Sequence, residues 1–410
     1  MLPSCTKKDE VPPSVTISSP FNGAEYNVFD TIQVSFQIED ETALVSASAE
    51  VLSQDFYPIT PKTNITNYNG SAQVILDDKL IESGEYFLVV NASDGTNDSR
   101  EFVEIRINAI PKVRRAVYVA TSSGSGQDAV WQVDSLLQQY ISWSQPGQDV
   151  LKVCANSAYD KLALIGRLST GLKVYSLPFG SLDWSDDVFN VSQTERYQDL
   201  ICNQNSFFAS IYDREIRGYT LSGALIKNFP TGDYRAETLF QYENTLLAEM
   251  NLVGDDRHFL NVYYESTMAL LNQVDFDMDI VAIVSLQGDE VLVFGNDAGQ
   301  AKVYHYDIGE NSFWEPRQLP VGKVYDATRT EGVRVVFTHD DGVYTYTYSP
   351  NFLNLLRSGS AYRQVHFDVD NGAVLSASEN ILEEISQSGQ LVSTVVLPDS
   401  IVSFDIHYTR

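Results

Sequence analysis

The chain ends in Ile401-Val402-Ser403-Phe404-Asp405-Ile406-His407-Tyr408, a strand with no partner in its own neighbourhood. Far upstream, the unit that begins Arg115-Ala116-Val117-Tyr118-Val119-Ala120-Thr121 is one strand short. Between the two a pattern recurs: a short strand, a tight turn, an apolar strand, a hairpin, then one or two more strands. The second strand of each unit begins at Val117, Leu162, Phe207, Leu246, Val291, Val333 and Ala373, at spacings of 39 to 45 residues. A strand-only repeat of that period is the signature of a β-propeller with four strands per blade. Six units carry their own inner strand, near residues 150–154, 198–202, 236–241, 280–285, 324–328 and 363–367. The first has none, and the terminal strand supplies it. The expectation is therefore a seven-bladed propeller over residues 114–410, closed by the C-terminal strand so that no blade edge is left unpaired. A (β/α)8 barrel is disfavoured, because no amphipathic helix recurs between the strands.

Upstream, residues 12–110 hold short strands at Val15–Ile17, Thr31–Ile38, Leu44–Val51, Ala72–Leu76, Tyr86–Asn91 and Glu101–Ile107, separated by turn residues. That spacing predicts an all-β sandwich whose last two strands form a hairpin. The fold class expected for the whole chain is all-β.

Three stretches carry resemblances. Arg115–Thr121 and its repeats resemble the broad WD40-like and YVTN-like propeller families, without a regular Gly-His…Trp-Asp signature, a kelch Gly-Gly pair or a sialidase Asp-box. Ser18-Ser19-Pro20-Phe21-Asn22-Gly23 and Asn91-Ala92-Ser93-Asp94-Gly95 resemble bacterial Ig-like modules of the PKD and cadherin-like kind, and Gly84-Glu85-Tyr86 looks like their tyrosine-corner region. Leu2-Pro3-Ser4-Cys5 resembles a lipobox, and Lys7-Lys8-Asp9-Glu10 looks like the acidic export signal of Bacteroidota surface lipoproteins. The charged and apolar regions that normally precede a lipobox are missing. This resemblance implies a lipidated Cys5, a tether over residues 1–11 and an address on the bacterial outer membrane, facing outward.

Composition sets further bounds. There are 27 Lys+Arg against 55 Asp+Glu, a net charge of -28. Nucleic acid and anionic membrane surfaces need a cationic face, so both are argued against, and the lipid is the only expected membrane contact. The chain is expected to be a monomer. Beyond Cys5 there are only Cys154 and Cys202, too few for a disulfide scaffold. Both lie in apolar strands and read as buried free thiols, with a bridge between neighbouring strands as the alternative.

The search for chemistry finds little. The five histidines show no i, i+2 or i, i+4 pair, which argues against a local zinc site and for structural roles. No phosphate loop, Gly-x-Ser-x-Gly or dinucleotide fingerprint is present. No cofactor is expected apart from calcium. One reading gives it Asp275, Asp277 and Asp279, which alternate in Asp-Phe-Asp-Met-Asp and share a strand face; the rival reading is a solvated linker. Asp94 and Asp98 are a weaker calcium pair, since turn formation explains them first.

One feature recurs in register with the fold. Just before the inner strands, linkers pair a cation with tyrosine: Arg196-Tyr197, Tyr234-Arg235, Lys323-Val324-Tyr325 and Tyr362-Arg363. In a propeller these linkers ring the mouth of the channel, where tyrosine stacks on a sugar and arginine grips a carboxylate. The candidate ligand-binding set is Arg196, Tyr197, Tyr234, Arg235, Tyr325, Tyr362 and Arg363. The expected function is non-catalytic binding of a glycan or an envelope protein. The alternatives are a carbohydrate-active hydrolase or lyase with acids at the channel mouth, and a scaffold subunit of an envelope complex.

Overall fold

A computed structural model of the chain describes residues 11–41, 43–124, 127–147, 149–187, 196–212, 214–252, 255, 257–314, 317–359 and 362–410. Cys5 lies outside the described residues. All regular structure described is β, in two compact units, residues 1–111 with Arg410, and residues 112–409. No helix among the described residues is long and apolar enough to cross a membrane.

The first unit is a two-sheet sandwich. Ser14–Ser19, Thr31–Glu39 and Asn69–Ile75 form one sheet. Ala24–Asn27, Asp98–Asn108, Gly84–Ser93, Ser46–Leu52 and Thr63–Asn64 form the other, with the first of these parallel to the second. The alternation of Thr31–Glu39 buries Ile32, Val34, Phe36 and Ile38 against Val51, Leu88, Val90 and Ile105, as period-2 patterning requires. Tyr86 Oη donates to the Glu82 carbonyl at 2.9 Å. Asp94 accepts the N–H groups of Thr96 and Asn97, both at 2.6 Å, so it is a turn cap here.

The second unit holds seven antiparallel sheets among the described residues, the arrangement of a β-propeller. Sheet I is Tyr140–Gly147, Asp128–Asp134, Arg114–Ser122 and Ser400–Tyr408, so the last strand of the chain pairs with the first strand of the unit. The others follow in chain order, with inner strands Val150–Asn156 (II), Tyr197–Cys202 (III), Tyr234–Tyr242 (IV), Asp279–Ser285 (V), Val324–Arg329 (VI) and Tyr362–Asp368 (VII). Sheet V adds Ser312–Phe313 and Arg317–Val321 to its third strand. Each sheet buries both faces. One apolar cluster fills each junction, such as Val119, Leu375 and Phe404 between I and VII, or Ala163, Tyr197 and Phe207 between II and III. Double burial explains why the second strands read as unbroken apolar runs: every residue of Ser206–Ile211 is buried.

Main-chain donors of the inner strands are satisfied across the junctions. Ser403 accepts the N–H of Val153 at 3.1 Å, Asp199 that of Leu239 at 2.7 Å, Asp326 that of Val365 at 3.0 Å and Gln364 that of Phe404 at 2.9 Å. Glu249 accepts from Ile280 and Asn296 from Val324, both at 2.9 Å. Between II and III, the Lys152 ammonium meets Asp199 at 2.5 Å. In each of the six main-chain bonds, a side chain of one sheet accepts an N–H of the next. The last of them, from VII, reaches sheet I. There Arg114, 3% exposed, donates to Asp368 at 2.7 Å and to Glu384 at 3.1 Å. Val113 and Thr409 exchange hydrogen bonds where the chain enters and leaves the unit.

Cys154 and Cys202 are bridged, which corrects the expectation of two free thiols. They lie on the inner strands of adjacent sheets, with Cα atoms 6.1 Å apart, within bonding range. The bridge closes a loop across a sequence separation of 48 residues. Chain-entropy arguments put its contribution at about 4 kcal/mol at most. Thermal melts with and without reductant should therefore show a clear fall in Tm on reduction, and the Cys154→Ser/Cys202→Ser variant should match the reduced protein.

Candidate functional site

Strand register collects the cation–tyrosine linkers at one end of the sheets. The inner strands begin opposite the ends of the second strands: Val150 against Gly166, Tyr197 against Ile211, Tyr234 against Leu252, Val324 against His339 and Tyr362 against Ser378. Each of these strands then carries a bulge near its start, for example between Val324 and Asp326 and between Tyr362 and Gln364. A bulge changes which face the following side chain takes.

That bulge divides the candidate residues. Tyr197 and Tyr362 precede it and turn into the junction cores. Tyr197 is fully buried, and its hydroxyl donates to the Asp186 carbonyl at 2.8 Å. Tyr362 is 5% exposed; its hydroxyl donates to Glu383 at 2.7 Å and accepts from Arg357 Nε at 3.1 Å. These two are packing residues, a correction to their expected place at a ligand. Tyr234 is half-buried, edge-on to Phe259 at 5.3 Å. Arg196 is half-buried, and its backbone links Arg167 to Tyr212. Tyr325 and Arg363 occupy bulge positions and stay out of the core. The Arg363 guanidinium lies 3.8 Å from the centroid of the Tyr325 ring, whose hydroxyl donates to Asp340. Arg235 lies 4.9 Å from the Tyr212 ring and 2.9 Å from Glu237. The repeated unit is thus an arginine over a tyrosine of the preceding sheet, a pairing across 23 residues in one case and 38 in the other, which adjacency in sequence does not reveal.

Deeper along the inner strands lie Asp199, Asp326 and Asp405. Asp199 also accepts the Leu200 N–H at 2.8 Å, Asp326 that of Ala327 at 2.8 Å, and Asp405 those of Ala155 and Ile406, both at 2.7 Å. Burial pushes the Asp326 carboxyl up, opposed first by His366. Carboxylates whose two oxygens hold main-chain donors have a structural role.

The three alternating aspartates do not converge on one ion. Alternation itself holds, with Phe276 and Met278 buried and the aspartates exposed. The strand, however, breaks after Phe276 and the next begins at Asp279. Asp277 takes the Lys302 ammonium at 2.9 Å and the Tyr304 hydroxyl, the latter being the chief reason that its carboxyl is held below the ordinary range. Asp275 sits opposite Phe259 on the outer strand of sheet IV. Asp279 instead meets Glu249 and His258, with one ligand atom from each of the three within 4.8 Å of the others. His258 and Asp279 line a cleft of about 590 Å3, together with Asp275, Asp277 and Lys323, and Glu249 lies buried behind them. The second metal-like group, Cys154, Cys202 and Asp405, is ruled out as ligands by the disulfide.

Glu249 is fully buried, and desolvation pushes its carboxyl up to about 7, although His258 opposes the shift. His258 is shifted up in turn, first by its bond to Glu249 at 2.9 Å. Both groups hold protons to higher pH in the folded chain than in the unfolded one. The Glu249 contribution to stability is complete below about pH 4.5, the ordinary glutamate value, and is lost as pH rises through about 7, by roughly 3 kcal/mol. In the presence of a chelator, Tm should fall between pH 5 and pH 8, and the Glu249→Gln protein should show a flatter profile in the same melts.

No family model matches the chain, and no curated protein matches it. Solved structures do. A quinonprotein alcohol dehydrogenase-like protein from Bacteroides thetaiotaomicron aligns with TM-score 0.52 and 10% identity over 97% of this chain and 99% of that one. A protein from Lactobacillus plantarum aligns at 0.55 and 11% over 72% and 99%, and hydrazine synthase of Kuenenia stuttgartiensis at 0.54 and 10% over 62% and 88%. At such identities the likeness is one of fold alone.

Proposed function

We propose that this chain is a binding protein of the bacterial cell envelope. Cys5 carries the lipid that anchors it to the outer membrane, the sandwich is an Ig-like spacer, and the seven sheets are the blades of a propeller closed by Ser400–Tyr408. The Ig-like reading draws on the parallel pairing of Ala24–Asn27 with Asp98–Asn108 and on the Tyr86 bond to the Glu82 carbonyl. The closure reading draws on the Gln364–Phe404 bond and on the pairing of the terminal strand with Arg114–Ser122. The envelope address draws support from the Cys154–Cys202 bridge, because disulfides persist in oxidising compartments. Deleting residues 400–410 should bare the edge of Arg114–Ser122 and cause aggregation or a large loss of Tm, read by light scattering and calorimetry. An unchanged Tm would overturn the closed-ring reading.

The propeller face binds a glycan or a protein partner that presents carboxylates. The single observation that carries this is Arg363, exposed, with its guanidinium over the Tyr325 ring at the mouth end of the sheets. A guanidinium fixed on an aromatic face keeps its outer N–H groups for a carboxylate and is ordered before the ligand arrives. Glycan and protein arrays probed with the chain from residue 12 onward should give a hit. Arg363→Ala and Tyr325→Ala should each weaken it by about 1–3 kcal/mol, with little change in Tm. Binding that is indifferent to both substitutions would remove the rim from the function.

A further inference from the structure

The cleft between sheets IV and V holds a group of side chains that neither the rim nor the packing explains. Glu249 lies in the middle of Thr245–Leu252, a strand otherwise apolar through Leu246-Leu247-Ala248 and Met250. Its Oε1 holds two hydrogen bonds, from the Ile280 N–H and with His258 Nδ1, both at 2.9 Å. Its Oε2 is buried and has no hydrogen-bond partner. A buried carboxylate oxygen left unpaired costs free energy. A cation is the partner that such an oxygen lacks.

The neighbours of Glu249 are those a cation needs. His258 stands opposite Asn251 on the next strand, so it is the diagonal, same-face neighbour of Glu249. Asp279 opens the inner strand of sheet V, exposed to solvent. The three come from three different strands and two sheets, yet their ligand atoms lie within 4.8 Å of one another. We propose that Glu249, His258 and Asp279 form a binding site for a divalent transition-metal ion of the zinc type, open to the cleft on its fourth side.

The donor set selects the class of metal. One imidazole nitrogen and two carboxylate oxygens suit zinc and its neighbours, whereas calcium takes six to eight oxygens. Three protein ligands leave a coordination position free, and here it faces the cleft rather than the core. Asp277 is excluded from the set, since Lys302 and Tyr304 hold it. The site closes a junction as well. Glu249 and His258 belong to sheet IV and Asp279 to sheet V, so a bound ion adds to the links that the Ile280 N–H bond and the Thr238 hydroxyl on the Ile280 carbonyl already make.

The test is zinc titration by calorimetry on the chain carrying Cys5→Ser, stripped with chelator beforehand. One zinc ion per chain should bind, and saturating zinc should raise Tm. Glu249→Gln keeps an oxygen for the Ile280 N–H and so keeps the fold; it should bind zinc about a hundredfold more weakly and lose the Tm gain. Asp279→Asn, at an exposed position, should weaken binding at least tenfold, and Asp277→Asn should leave it unchanged. Failure of the folded parent to bind zinc would overturn the site, as would equal binding by the Glu249→Gln/His258→Ala protein, or calcium binding that ignores His258. None of these outcomes bears on the Arg363 rim, which is tested separately.

Discussion

The architecture depends on one recurring hydrogen bond: an inner-strand N–H accepted by a side chain of the preceding sheet. An inner strand pairs along one edge only, so its other edge presents donors to the channel. A propeller whose inner donors were unpaired would be short several hydrogen bonds in its most enclosed region. Ser403, Asp199, Asp326 and Gln364 answer this at equivalent positions just past the bulge, each reaching a donor in the next sheet. The bulge makes the device work, because it turns the following side chain towards the neighbour. Where the position past the bulge is Ala282, the acceptor is supplied from the second strand instead, by Asn296.

This accounts for part of the acidity. Asp199, Asp326, Asp405 and Glu249 are not a surface charge coat; they are acceptors, and they hold sheets together through main-chain donors. The same role accounts for the aspartates through structure. Glu249 is the exception. It holds its main-chain donor with one oxygen and has a second to spare, which is why the metal inference rests on it.

The sequence was legible where burial was simple. Second strands buried on both faces produce apolar runs, and their period located all seven sheets from Val117 to Ala373. The partner of the terminal strand was legible because Arg114–Ser122 lacked a neighbour. Ala24–Asn27 and Thr63–Asn64 were not seen, since four and two residues carry no periodicity. The Cys154–Cys202 bridge depends on which inner strands are adjacent and where each starts, and spacing alone does not reveal that. The rim was half legible: phase put the linkers at one end, but the side of the bulge decides whether a tyrosine is exposed, and a bulge leaves no mark in composition. Glu249 did leave a mark, a lone acid among Leu, Ala and Met, which a search for histidine spacing passes over.

The hydrogen bonds between Val113 and Thr409 have a topological consequence. The 298-residue unit from Lys112 to Thr409 enters and leaves at a single point, like a bead with both thread ends at one hole. Its sequence order is therefore nearly arbitrary with respect to its sheets. A chain joined across that point and reopened at an exposed hairpin elsewhere would traverse the same seven sheets in rotated order. For the same reason the whole unit can be lifted into a surface loop of another protein without parting the flanks of that loop, and it can be gained or lost as one piece.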